Sequence, residues 1–329
     1  MIPAARIAKI IPLLVAELRL IASTRRVRLI RGLNKLVRRN CGDESLVATV
    51  VGHFQILALM SHPFLRPILL KDPYAHFRPF KTYLAPGFTR QQRREAFREH
   101  YAYLTTCLRE SFFSGTVLGA PVLWESARGL GRVAITISRS DVEHEGELQL
   151  EFQGNGQALF HVSMSIAPGR LVGSTATRAI VIARVQGVRG KWEEIRNATK
   201  MCSEVSPPFL LMSAVQAIAR ATDITCIAGI RNAQKGQMPG EQNPEMRFDY
   251  DQFWQKLLAT VGSEFCLLPV PMIMRPMAEI SVNHRKRTLI KRQLKQAVED
   301  TVYDRFLTEF CQPCSGRSGQ SPSSSRMSE

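Results

Sequence analysis

The sequence predicts an α/β protein of the α+β kind, with a helical N-terminal region followed by a mixed, largely antiparallel sheet and flanking helices. Three observations carry this. Apolar residues keep helical spacing to about residue 125, then alternate with period two from residue 132 to 166. Residues 179–185, AIVIARV, are almost continuously apolar, as in a strand covered on both faces. Helical spacing then returns between short strand-like runs.

Within residues 5–40, Leu29, Leu33, Leu36 and Val37 share one helical face, with Arg28, Arg31, Lys35 and Arg38 or Arg39 largely opposite. Leu46, Val50, Phe54 and Leu57 continue helical spacing until Ser61-His62-Pro63 breaks it, and Pro67 follows. Residues 72–88, rich in proline and aromatics, predict an ordered loop. Thr89 suits the N-cap of a charged helix that puts Phe97, Tyr101, Leu104 and Leu108 on one face. Alternation through Val133, Ile135 and Ile137, then Leu148, Leu150 and Phe152, then Phe160, Val162, Met164 and Ile166 predicts an antiparallel meander, with Gly154-Asn155-Gly156 in one turn. Trp192, Ile195 and Cys202 fit a helix after the buried strand, and Pro207-Pro208 suit the first turn of the next. Residues 224–230 read as a second buried strand and 231–247 as a polar loop. Asp249 or Asp251 can cap a helix holding Phe253 and Trp254, residues 264–268 suit a short strand, and 284–310 a long basic helix. The expected organisation is a basic helical region over 1–125, an α/β region over 126–311 and a Ser-rich, disordered tail over 312–329.

With 45% hydrophobic and 22% charged residues, the 329-residue chain can bury a sizeable core. A net charge of +16 is unusual and points to an anionic partner: nucleic acid, an acidic membrane surface or an anionic ligand. Residues 1–40 hold ten Lys or Arg against the single acid Glu17, so this stretch is an expected contact for anionic inner-membrane lipid. A packed surface helix with a solvated basic face is the plainer alternative. A second basic block runs from His284 to Lys295 without an acid. Seven scattered cysteines, an odd count, fit reduced thiols in a cytoplasm. Cys311-Gln-Pro-Cys314 lacks a second ligand pair, so no metal is expected there. No apolar run reaches the ~18 residues needed to span a bilayer. The expected location is cytoplasmic, with peripheral contact to the inner membrane left open.

The stretch VIARVQGVRGKWEEIRNATK, residues 181–200, carries the most specific chemistry. Gln186, Gly187, Arg189, Gly190 and Lys191 form a candidate phosphate loop: glycines allow close backbone approach and a helix N-terminus offers N–H groups and positive potential. A simple strand-to-helix connection is the alternative. Asn232 and Asp249 are further candidate residues. The metalloprotease H-E-x-x-H, the P-loop lysine, G-x-S-x-G and the dinucleotide G-x-G-x-x-G are all missing. Glu143-His144-Glu145 reads as an exposed charged turn, His161 as outward-facing, His62 as a packing or capping residue, and His100 and Tyr101 as core or interface residues.

Several features resemble the VirK family of proteobacterial proteins: the His62-Pro63 break, Tyr83-Leu84, His100-Tyr101, the 147–152 strand, Val185-Gln186-Gly187, Ala198-Thr199-Lys200, Asp249-Tyr250-Asp251-x-Phe253-Trp254 and the closing Lys286-Arg287 helix. The resemblance covers residues 45–300 and implies a role in Gram-negative envelope integrity, virulence, stress and resistance to cationic antimicrobial peptides. It supplies no catalytic residues. Relatives tend to show a His-Gly-Leu-Arg-Pro turn where this chain has Ser203-Glu204-Val205-Ser206-Pro207, and a His where it has Ala233-Gln234-Lys235. The element order is also similar to the Gcn5-related N-acetyltransferases, which implies acyl-coenzyme A held through its diphosphate at the Gln186–Gly190 loop. Three function classes follow: a VirK-like envelope factor, an acyl-coenzyme A-dependent acyltransferase and a nucleic-acid binder. No specific nucleic acid is expected, because neither a helix-turn-helix nor an aromatic platform is evident.

Overall fold

The computed structural model describes residues 46–128, 131–235 and 248–313. The expectations for residues 1–45, most of the polar loop and the tail beyond 313 lie outside the described residues.

Helix α1 spans Leu46–Met60. The predicted break after it is physical: His62 Nδ1 accepts the Phe64 N–H at 3.2 Å, and Pro63 opens a single 3-10 turn. Pro67 then sits in the first turn of α2, Arg66–Lys71, where its missing N–H costs nothing. The aromatic stretch that follows folds as a 3-10 turn over Ala75–Phe80. Thr89 caps α3, Arg90–Cys107, through a reciprocal capping box with Gln92. Helix α4 spans Glu110–Leu118.

The sheet has eight strands in the order β1-β2-β3-β4-β5-β6-β8-β7. They are β1 Val122–Arg128, β2 Gly131–Arg139, β3 Leu148–Gly154, β4 Gln157–Pro168, β5 Arg178–Gly187, β6 Cys226–Ile230, β7 Thr260–Val261 and β8 Phe265–Pro269. All neighbours are antiparallel except β5 and β6. Between β5 and β6 run α5, Trp192–Met201, and α6, Pro207–Ala221. A short helix α7, Asn232–Lys235, follows β6; α8 spans Tyr250–Lys256 and α9 Val282–Glu309. Helix α3 packs along β4 and α6 spans β3 to β6, which buries β4 and β5 on both faces as AIVIARV predicts.

Two expectations need correction, and one strand was not foreseen. Strand β1 begins at Val122, inside the region read as helical. Its pairing with β2 shifts between Val122 and Trp124, so Leu123 and Trp124 are both buried and period two is lost. The two-residue β7 is too short to leave a pattern. The Glu143-His144-Glu145 turn is not an exposed one: Glu145 is buried and pairs with Arg184 Nη1 at 2.8 Å.

A buried ionic network joins the N-terminal helices to the sheet. The Glu147 carboxylate, 1% exposed, accepts the Tyr101 hydroxyl and lies 3.6 Å from Arg78 Nη1 and 3.9 Å from Arg139 Nη2. Asp72 Oδ2 accepts Arg78 at 3.3 Å and Arg139 at 3.0 Å. Two cations thus face two carboxylates, which a low-dielectric interior requires. Burial opposes the Asp72 charge, but Arg139 and Arg78 more than offset it and hold the carboxyl below its usual range. Ser165 Oγ accepts the Glu147 N–H at 2.9 Å and meets the Tyr83 hydroxyl at 3.1 Å.

Removing Glu147 would leave two buried guanidiniums sharing the single carboxylate of Asp72, so Glu147→Ala should cost about 3–5 kcal/mol of unfolding free energy. Tyr101→Phe should cost only about 1–2 kcal/mol. Urea titration of both variants checks the ratio, and equal costs would show that the charges are not what matters. Burial lowers His100 to about 3 and both His53 and His76 to about 4. Unfolded histidines titrate near ~6.5, so below that pH the unfolded state binds more protons and stability falls. Each should remove up to about 1.4 kcal/mol per pH unit between roughly pH 6.5 and 4. A urea midpoint unchanged from neutral pH to pH 5 would contradict this.

Candidate functional site

The chemistry-bearing region lies where β5 and β6 part. Their parallel ladder covers only Ile180–Ile182 against Ile227–Gly229, although β5 continues to Gly187. The cause is local. Against β4, Ser163 faces Arg184 while Met164 faces Ile182, so Ala183 is an extra residue in β5. Such a bulge bends its strand, and β5 leaves β6 at that point.

Helix α8 fills the gap with aromatic side chains. The Tyr250 hydroxyl accepts the Val185 N–H at 3.0 Å, and Trp254 Nε1 donates to the Ile230 carbonyl at 2.7 Å. Gly229 is required there, because a Cβ would sit 2.1 Å from the Trp254 ring. Phe248 bridges the two sides, 5.9 Å from Phe160 and 5.4 Å from Tyr250 between ring centroids. Asn232 and Asp249, singled out in the sequence, come together below this wedge. Asn232 Nδ2 donates to Asp249 Oδ1 at 2.9 Å, and Asn232 Oδ1 accepts the Tyr250 N–H at 2.8 Å. Asp249 also caps α8 through the Gln252 N–H, and that bond, then Asn232, holds its carboxyl below the usual range. Their role is to aim Tyr250. Gln234 is buried, with neither amide atom hydrogen-bonded among the described residues.

The predicted phosphate loop occupies the turn after β5. Gly190 has φ +78°, a conformation that favours glycine, with nothing within 4 Å of a Cβ. Gly187 is instead a packing glycine, its Cβ position 3.2 Å from Phe160 and 3.3 Å from Ile195. The Val188 N–H bonds Leu159 and the Lys191 N–H bonds Val188. Gln186 Oε1 accepts Arg184 Nε at 2.8 Å, and Lys191 Nζ reaches Gln157 at 2.8 Å and Glu194 at 3.0 Å. The Glu194 carboxylate bonds its own N–H, which with Lys191 holds its pKa below the usual range. The helix end therefore already carries an anion, with Glu193 beside it. Arg189 is exposed and Trp192 is 76% exposed.

A second polar space borders the ionic network and is lined by His100, Tyr101, Thr116, Arg139 and Glu147 among apolar side chains. The space has room for about one water molecule, far below the size of ligand pockets. With His100 Nε2 and Glu147 Oε1 unpaired among the described residues, it has the polarity to hold water. Among the described residues, no group of three His, Cys, Asp or Glu could hold a metal, and no helix is long and apolar enough to cross a membrane.

A family model described as a protein of unknown function, DUF535, matches residues 49–301. The chain belongs to this family. The match takes in the ionic network, the bulge and the wedge. Uncharacterized protein YbjX of Escherichia coli (strain K12) is 26% identical over 260 residues, 75% of this chain and 77% of that protein. No solved structure matches the chain.

Sequence reasoning missed Tyr250 and Trp254 as site residues. One signal was present: a glycine inside the buried run 224–230 marks a close approach to its backbone. Gly229→Ala should displace Trp254 and cost about 2–3 kcal/mol. The check is a urea titration read by tryptophan emission, and a variant as stable as the parent with unchanged emission would show that the wedge is not tightly seated.

Proposed function

We propose that this chain is an acyl-group transferase of Gcn5-related design that serves the cell envelope, as its VirK-like resemblance implies. The observation that carries the reading is the opening of β5 from β6 past the Ala183 bulge, with Tyr250 set into it. The meander, the parallel pair and the intervening helices follow the order of that architecture. Past the bulge, β5 has an edge that β6 does not cover; Tyr250 takes its Val185 N–H, and the amide-bearing arm of an acyl thioester would pair with the remaining edge groups as an added strand does.

The residues at the opening suit the thioester end of such a ligand. Tyr250 accepts the Val185 N–H through its hydroxyl oxygen, which sets a phenol at the strand opening. In the transfer, an acceptor amine or hydroxyl bonds the acyl carbon as the carbon–sulfur bond breaks. The electron pair goes to sulfur, and Tyr250 supplies the proton that restores the thiol, regaining one from the acceptor. The diphosphate end of coenzyme A fits less well, because Glu194 would have to leave the α5 N-terminus and release Lys191.

A thermal-shift titration with acetyl-coenzyme A, coenzyme A and pantetheine, with adenosine diphosphate as control, tests this. A saturable rise of several degrees is expected for the three ligands that carry the pantetheine arm. Equal response to coenzyme A and pantetheine would assign binding to the strand opening alone. A stronger response to coenzyme A would bring in the Gln186–Lys191 loop. No shift at millimolar ligand, or the same shift with adenosine diphosphate, would overturn the acyl-transfer reading.

A further inference from the structure

We infer that the first half of α9 and the loop before it form an arm that docks on the surface of an anionic lipid bilayer. This goes beyond the acyl-transfer reading and does not depend on it.

The two halves of α9 differ. Val298, Val302 and Phe306 are buried, and the Glu299 carboxylate between them accepts the Gln216 amide and Arg220 Nη1 of α6. That half is rooted. In the first half Val282 is 72% exposed, Leu289 49% and Ile290 43%; in the preceding loop Ile273 is 60% and Met274 56% exposed. Leu289 and Val298 are nine positions apart, about two and a half turns, so they point to opposite sides. Val282, Lys286 and Leu289 share the outward stripe. The helix therefore turns aliphatic side chains away from its own core. The loop is fastened to it, with Arg285 Nε donating to the Ile280 carbonyl at 3.0 Å and Arg292 to the Arg275 carbonyl. A preformed arm loses little entropy on docking.

Charge identifies the occupant. Residues 270–296 hold seven Lys or Arg against the one acid Glu279. The chain's own residues 1–40, with ten cations to one acid, would be repelled by this arm, and so would a second copy of it. Nucleic acid would satisfy the cations but gain nothing from five exposed aliphatic side chains. A bilayer with acidic headgroups takes both: phosphates for Arg285 and Lys286, and hydrocarbon for Val282, Leu289 and Ile290. Without aromatic anchors on the arm, the contact is shallow and salt-sensitive.

The test uses the full chain with phosphatidylcholine vesicles, with and without phosphatidylglycerol. Co-sedimentation is expected only with phosphatidylglycerol. Leu289→Ser with Ile290→Ser, and separately Arg285→Gln with Lys286→Gln, should each weaken it roughly tenfold. Because residues 1–40 can also bind, a local readout is needed. Leu289→Trp should be quenched by lipids brominated on the acyl chain, beyond the quenching seen in the parent protein. Co-sedimentation without that added quenching would place the contact elsewhere and overturn the proposal. So would a change in oligomeric state in the Leu289→Ser, Ile290→Ser variant, which would make the arm a self-association surface. Retention on DNA that the Arg and Lys variants lose and the aliphatic variants keep, with no vesicle binding, would likewise overturn it.

Discussion

A single extra residue in one strand organises the functional half of this molecule. Ala183 has no partner in β4, so β5 bends after Ile182 and its ladder with β6 stops. Two parallel strands that part inside a core expose backbone groups that must be satisfied. The chain meets the need with α8: Tyr250 takes the Val185 N–H, and Trp254 takes the Ile230 carbonyl. Each solution imposes another requirement. The indole demands glycine at 229, and the tyrosine demands a fixed start to α8, which Asp249 and Asn232 supply. The constellation is thus one physical unit running from a bulge to a cap.

The electrostatics follow a division between inside and outside. Three buried carboxylates, Glu145, Glu147 and Glu299, each lie against arginine: Arg184, the Arg78–Arg139 pair and Arg220. Acids spent in this way cannot neutralise the surface, and the sequence has only 28 of them against 44 cations. The excess positive charge is therefore external, and it concentrates on the first half of α9 among the described residues. A desolvated carboxylate needs its cation at a fixed place, whereas an exposed cation does not. The first kind of charge ties the N-terminal helices to the sheet, and the second is left to meet a partner.

Much of this was legible in the sequence where the signal is local. The Thr89 cap with Gln92, the alternation of β2 to β4, the doubly buried β5 and the Asp249 cap all rest on residues within one turn or one strand. What was not legible depends on partners far along the chain. AIVIARV is apolar throughout, so nothing in it marks Ala183 as the unpaired residue; only its register with β4 does. Glu145 and Glu147 look solvated because their turn is charged, and their burial depends on Arg184, Arg78 and Arg139. The phosphate-loop reading rested on two glycines. One of them, Gly187, is accounted for by packing against Phe160 and Ile195, and the helix end beside it holds the chain's own Glu194.

The opening and the arm also share an end of the molecule. Helix α6 leads back to the start of β6, so its first turn lies toward the end where β5 and β6 finish. Helix α9 runs parallel to α6, because Arg287 lies near Glu204, just ahead of α6, while Glu299 meets Gln216 and Arg220 further along it. The exposed basic half of α9 therefore points toward the strand opening rather than away from it. An arm lying on a bilayer would bring that end of the sheet close to the lipid surface. An acceptor reaching Tyr250 would then be a component of the membrane interface rather than a freely diffusing solute. Catalyst position would restrict the substrate before any pocket selects it, since proximity alone raises the effective concentration of one class of acceptor over another.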